Sequence, residues 1–131
     1  MKQSLQNIVG SQNLFDNQDT LEKYSCDQSF VSPCTPDFLI FPHTTEEIQE
    51  VVRLANQTKT PLVPLSSGLN LHGAAVPEKG GIIVNLSKMD KILSIDENNW
   101  FAVIEPGVTY QQLQDELKSS MVQILNNSEK L

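Results

Sequence analysis

Apolar positions along this chain change their spacing several times, and each change proposes an element. Leu5, Ile8 and Val9 recur at helical spacing and predict a short amphipathic helix near the start. Leu14, Phe15, Leu21 and Tyr24 follow in a polar, weakly patterned stretch, where they are expected to pack singly. Pro33 and Pro36 predict a rigid, extended entry to the next segment. Phe38 to Phe41 is a continuous apolar run closed by Pro42, the pattern of a strand buried on both faces. Thr44 and Glu47 then read as a capping box. The helix they open places Ile48, Val51, Val52 and Ala55 inward and Glu46, Glu47, Glu50 and Arg53 outward. Pro61 forbids its continuation.

Pro61 to Leu65 predicts a second strand, so strand, helix and strand form a βαβ unit. Ile82 to Leu86 predicts a third strand. Ile92 to Ile95 and Trp100 to Ile104 flank the turn-rich Asp96-Glu97-Asn98-Asn99, which predicts a hairpin. Glu105-Pro106-Gly107 ends it. Thr109 and Gln112 make a second capping box, opening a helix with Leu113 and Leu117 inward. Met121 to Leu125 is apolar again, and the text then turns polar. No internal repeat or low-complexity tract is visible.

Composition narrows the classes. With 131 residues and 39% hydrophobic content, one domain with a core is expected. The net charge of −7 argues against a nucleic-acid partner, which needs a basic face. No run approaches the roughly 18–20 apolar residues that span a bilayer. Residues 1–20 lack the apolar core of a secretory signal, so no membrane and a cytoplasmic location are expected. Cys26 and Cys34 are too few for a zinc site or an iron–sulfur cluster, and no metal is expected. As cytosolic thiols they should be reduced.

The candidate chemistry sits between the second and third strands. After Leu65 comes Ser66-Ser67-Gly68-Leu69-Asn70-Leu71-His72-Gly73, small, flexible and amide residues. Such a loop after a strand brings backbone N–H groups against phosphates. The same residues also make ordinary turns, and a plain connector is the competing reading. An acidic chain without a basic cluster would have to meet phosphates with main-chain dipoles, which agrees with the loop.

Here the chain resembles the FAD-linked oxidases of the vanillyl-alcohol oxidase and p-cresol methylhydroxylase type, which include glycolate and D-lactate dehydrogenase flavoproteins. The likeness covers about residues 20–118. It is densest at Pro64 to Ala75, at Gly80 to Ile92, and at Val103-Ile104-Glu105-Pro106-Gly107-Val108-Thr109. Tyr24-Ser25-Cys26-Asp27 and Thr45-Glu46-Glu47-Ile48 also fit. The resemblance implies an α+β fold, the N-terminal portion of a PCMH-type FAD-binding domain: a βαβ unit in a small mixed sheet flanked by helices. Its parts would be 1–35 as helix and extended entry, 36–90 as the βαβ subdomain, and 91–131 as hairpin and helix of an incomplete second part.

The implied cofactor is FAD. Its pyrophosphate would lie on Ser66, Ser67, Gly68, Leu69 and Asn70, with Gly73, Pro106 and Gly107 as further contacts. Gly107 has an alternative role as a small residue before a helix cap. Departures from the family text are plain: Leu65, Ser66, Ser67 and Leu69 replace an Arg, two Gly and a Thr. Either the loop backbone differs or the serine hydroxyls add donors, and the second is favoured. Some members join flavin to a His on this loop. Leu69 occupies that position, so noncovalent FAD is expected, with His72 and His43 in structural or surface roles. The implied activity is oxidation of a 2-hydroxy acid or alcohol. No catalytic base can be named, and the substrate domain of the family is absent from these residues. The expected result is an FAD-binding fragment, inactive alone. The alternative is a non-catalytic remnant or nucleotide-binding module. Either would leave an apolar face for a complementary chain or self-association.

Overall fold

The computed structural model describes residues 1–66 and 70–118. They fall into two compact units, Met1–Met89 and Asp90–Leu131.

The first unit is built on a four-stranded mixed sheet in the order β1-β2-β4-β3. Its strands are β1 (Leu14–Phe15), β2 (Phe38–Ile40), β3 (Leu62–Leu65) and β4 (Ile82–Asn85). β4 lies between β2 and β3 and runs parallel to both, while β1 is antiparallel to β2. The predicted βαβ unit is therefore split, with the third strand inserted between its two strands. Leu14 and Phe15, expected to pack singly, form the edge strand instead. Phe15 also sets its ring edge-on to Phe41, with centroids 5.7 Å apart.

Alternation sorts the side chains. Ile40, Ile82 and Val84 face a core with Leu5 and Val9 of α1 (Lys2–Val9) and Val51 of α3 (Thr45–Thr58). Leu39 and Ile83 face the opposite side, against Leu21 of the short helix α2 (Gln18–Leu21) and half-buried Tyr24. All four residues of β4 are buried. Full burial of a Val or Ile side chain is worth about 1.5–3 kcal/mol, so this strand anchors both cores.

Thr44 caps α3 as expected, its hydroxyl accepting from the Glu47 N–H at 3.2 Å. The return arm is displaced by one residue: the Glu47 carboxylate accepts from the N–H of His43, at 2.7 Å. Val52, expected inward, is exposed, and Leu54 packs on the core in its place. The helical angle explains this. The buried stripe centres on Val51, and Val52 lies about 100° around the axis from it.

Entry into β4 is held by backbone. Gly81 donates to the Asp37 carboxylate at 2.7 Å, and its carbonyl accepts from the Asp37 N–H at 2.8 Å. Ile82 donates to the Pro61 carbonyl at 2.9 Å. Gly81 has φ +88°, and a Cβ there would run into the Pro61 carbonyl oxygen.

The second unit is a hairpin followed by a helix over 110–118, α4. β5 (Ile92–Asp96) pairs antiparallel with β6 (Phe101–Ile104), with a bulge between Ile92 and Ser94. Asp96 organises the turn: one oxygen accepts from the N–H groups of Asn98 and Asn99, the other from the Asn99 amide at 2.9 Å. Trp100, expected in the strand, stands in the turn at φ 59°. Glu105 closes the open end, accepting from the Lys91 N–H with its side chain and donating its own N–H to the Lys91 carbonyl, both at 2.9 Å. Thr109 and Gln112 form the predicted box, the side-chain oxygen of each accepting from the other's N–H. Leu113 is half-buried, whereas Leu117, expected inward, is exposed.

Two outcomes follow. Gly81→Ala forces both a disfavoured φ and a backbone clash, so it should cost roughly 1–3 kcal/mol, read as a lower urea midpoint. An unchanged midpoint would contradict the close approach described. Hydrogen bonds from Asn99, first its side chain and then its backbone, hold the Asp96 carboxyl below its ordinary pKa. A depressed folded pKa stabilises above the unfolded value, and that stabilisation is lost as pH falls through the folded one. The hairpin should loosen as pH drops below about 4. The fluorescence of Trp100, the single tryptophan of the chain, reads this. The D96N variant should lack that part of the pH response.

Candidate functional site

In open sheets of this kind, ligands bind outside the carboxyl ends of parallel strands. Here β2, β3 and β4 all direct their carboxyl ends to one edge of the first unit. The small-residue loop leaves β3 at that edge. Ser66 stands exposed where the strand ends. Ser67, Gly68 and Leu69 lie outside the described residues.

The far side of the loop is built from Asn70 onward. The Asn70 side chain accepts from the His72 N–H at 3.1 Å, and its carbonyl accepts from the Gln28 N–H at 3.0 Å. Gly73 is buried at φ +79°, and its Cα faces the Val31 side chain so closely that a Cβ would overlap it. Its carbonyl accepts from Val76 at 3.1 Å. Ala75, Val76 and Pro77 are buried and carry the chain back toward β4. Leu71, His72 and Ala74 are exposed. Among the described residues, the N–H groups of Leu71 and Ala74 have no hydrogen-bond partner. The loop therefore offers main-chain donors to solvent and no side-chain cation, a donor set that suits a phosphate held by dipoles.

Two residues that were not among the expected site residues stand at this edge, Asp27 beside the loop and Asn85 opposite Leu65. Asp27 is half-buried. It accepts from the Ser29 N–H at 2.9 Å, and its Oδ2 is fully buried without a hydrogen bond. Its carboxyl is held below the ordinary value, first by the Ser29 side chain, then by the backbone amides of Ser29, Gly73 and Ala75, against an opposing effect of burial. The Gly73 and Ala75 amides act on the charge without reaching hydrogen-bond geometry to Oδ2, so theirs is the weaker effect. Asp27, Lys23, Tyr24 and Cys26 form one wall of a cleft of about 100 Å³, with Leu65, Ala75 and Ile83 opposite. Asn85, the last residue of β4, is buried and accepts from the Ser87 N–H at 3.0 Å. The sequence signal for Asn85 was a polar residue closing an apolar run. For Asp27 it was Asp-x-Ser, an Asx-turn pattern.

In the second unit, Pro106 is exposed and Gly107 half-buried within a turn closed by the Val108 N–H to the Glu105 carbonyl, at 3.1 Å. Gly107 is not among the residues at positive φ, so this turn does not require glycine by conformation. His43 is tied to the α3 cap, and its ring Nε2 lies 3.4 Å from the Asn13 side-chain oxygen. Cys26 is exposed, Cys34 is half-buried, and both are free thiols. Among the described residues no helix is long and apolar enough to cross a membrane, and no cluster of His, Cys, Asp or Glu is arranged to hold a metal.

Comparison with known proteins agrees with this geometry. A family model described as an FAD binding domain matches residues 36–129. The chain is 34% identical over 108 residues to a glycolate oxidase subunit of Bacillus subtilis, covering 82% of this chain and 23% of that protein. It is 31% identical over 127 residues to the 4-cresol dehydrogenase (hydroxylating) flavoprotein subunit of Pseudomonas putida, covering 94% and 24%. The crystal structure of p-cresol methylhydroxylase with substrate bound superposes with a TM-score of 0.82 at 32% identity, over 91% of this chain and 24% of that one. The chain thus spans about a quarter of the length of the relatives it matches. The family model over residues 36–129, the relatives above 30% identity and the superposition of the mixed sheet place this chain in the FAD binding domain family of FAD-linked oxidoreductases, with the p-cresol methylhydroxylase type of fold.

Proposed function

We propose that these residues hold part of a noncovalent FAD, chiefly its pyrophosphate and adenosine, for a flavin-dependent oxidoreductase acting on 2-hydroxy acids or alcohols in the cytoplasm. The observation that carries this reading is the loop leaving β3 at the carboxyl edge, whose described residues 70–75 carry unbonded main-chain donors and no cation. Ser66, Ser67, Gly68, Leu69, Asn70 and Gly73 are its cofactor residues in the first unit, and Pro106 and Gly107 in the second. For Gly73 the contribution is indirect: its missing side chain admits Val31, which fixes the backbone beside the donors. Leu69 offers no nucleophile for a flavin bond, and the exposed His72 stands three positions on. The bound flavin would supply hydride acceptance from the donor's CH–OH carbon. This chain's part is to bind and orient the cofactor, and no side chain described above is a candidate for the base. The division into an entry (1–35), a βαβ subdomain (36–90) and a second part (91–131) follows the same reading.

A second feature bears on partners. In the second unit Trp100 is 91% exposed, and Phe101, Val103, Ile104 and Tyr110 are exposed with it. Exposed apolar side chains grouped in one small unit mark a surface that another chain covers. We assign that role to the remainder of the oxidoreductase fold, since these residues span about a quarter of the relatives' length. The competing reading, a non-catalytic nucleotide-binding module, predicts the same loop but no preference for flavin over ADP.

After incubation with excess FAD and gel filtration, the chain should retain yellow flavin absorbance that trichloroacetic acid releases. Glycolate or D-lactate should not bleach it. ADP at about 100-fold its Kd should stabilise the fold by about 2.7 kcal/mol. No retained flavin and no shift with ADP would sink the cofactor reading. Flavin that stays with the acid precipitate would sink the noncovalent one. Sedimentation of the chain alone should reveal concentration-dependent association, and Trp100→Lys with Phe101→Lys should reduce it. A concentration-independent monomer would remove the argument for a covered face.

A further inference from the structure

Residues 27–31 and the loop 70–75 are far apart in sequence, yet they are joined by a chain of contacts, of which the flavin reading uses only Val31 against Gly73. The Asp27 carboxylate accepts from the Ser29 N–H at 2.9 Å. The Ser29 hydroxyl oxygen in turn accepts from the Val31 N–H at 3.1 Å. The Val31 side chain occupies the space a Cβ would take at Gly73. Gln28, between them, donates its N–H to the Asn70 carbonyl. The Cys34 N–H donates to the Ser25 carbonyl at 2.8 Å, closing residues 25–34 into a loop of their own.

We propose that segment 27–31 is a clamp for the phosphate loop, with Asp27 and Ser29 as positioning residues that fix the backbone from Asn70 to Ala75. The geometry divides the work. Gln28 ties the loop's carbonyl side at Asn70, and the N–H groups of Leu71 and Ala74 remain unbonded among the described residues. Val31 against Gly73 sets the depth at which the loop lies. Asp27 holds Ser29, and Ser29 holds Val31. A donor array kept rigid before the ligand arrives loses less conformational freedom on binding. The clamp itself needs no ligand. Its consequence for affinity rests on the flavin reading given above.

Two variants separate the contributions. Ser29→Ala removes the link and leaves the charge of Asp27. D27N removes the charge and keeps the shape. The deciding measurement is hydrogen–deuterium exchange of the full chain without flavin. Amides at 70–76 should exchange about tenfold faster in each variant, while those of α3 (Thr45–Thr58) keep their rates. FAD should then bind S29A about tenfold more weakly. Unchanged exchange at 70–76 in both folded variants would overturn the clamp. Equal acceleration throughout the first unit would also overturn it, because that marks general stability rather than positioning. If D27N does not fold, S29A carries the test, since it removes one hydroxyl. Faster exchange at 70–76 in a chain that retains no flavin would uphold the clamp and fail the cofactor reading, so the two fail separately.

Discussion

The fold depends on how β4 enters between β2 and β3. A strand buried on both faces has no solvent side to signal its register, so its ends must set it. Gly81 does so with backbone alone, bonding to Asp37 in both directions, while the next residue bonds to Pro61. A side chain at position 81 would separate the strand from its neighbour. A slip of one residue would exchange Ile82 and Val84 with Ile83 and Asn85, placing the Asn85 amide against the helices. With the strand in place, three carboxyl ends share one edge and the β3 loop opens there. The site is therefore a consequence of a contact at the opposite end of the sheet.

Local pattern revealed the elements whose neighbours along the chain decide them. The helix over 45–58 carries its cap, its apolar stripe and its stop in consecutive residues, and it forms as expected. Val52 was misplaced because an i+4 spacing from Ile48 is satisfied at the margin of the stripe as well as at its centre. What local pattern lacked was strand order. Nothing in Ile82 to Asn85 says that it will lie between two strands already joined by a helix, because that choice rests on pairings across long stretches of sequence. Leu14 and Phe15 are too few to display alternation, and they became a strand by adding to the edge of β2. Trp100 is the reverse case: a β-prone side chain drawn into a left-handed position by the turn that Asp96 organises.

The candidate site divides along the same line. The loop was legible because its composition is unusual next to a strand and because its order with the β-prone runs matches a family. Its support was not. Asp27 fitted the family text without a role, Gln28 and Val31 carried no pattern, and their meaning appears only when Gly73 is seen to leave room for Val31. Gly73 was selected as a cofactor contact, yet its geometry gives it a packing role that helps the donors indirectly.

Charge leaves the most constrained step. On the proposed reading, a chain of net charge −7 receives a diphosphate against long-range repulsion, screened within about 8–10 Å at physiological salt. Asp27 lies inside that range of the loop's own backbone, where screening is weakest. A carboxylate behind a phosphate loop therefore works against the ligand through its charge and for it through the order it imposes. Partly buried, bonded to Ser29 and facing the amides of Gly73 and Ala75, its charge is already engaged on the inner side. The unbonded N–H groups of Leu71 and Ala74 are left, on the proposed reading, for the phosphates. Removing the charge shifts both effects in opposite directions, so affinity alone cannot measure the clamp. Removing the Ser29 hydroxyl disturbs the order and leaves the charge, and that separation makes Ser29 the more informative residue of the pair.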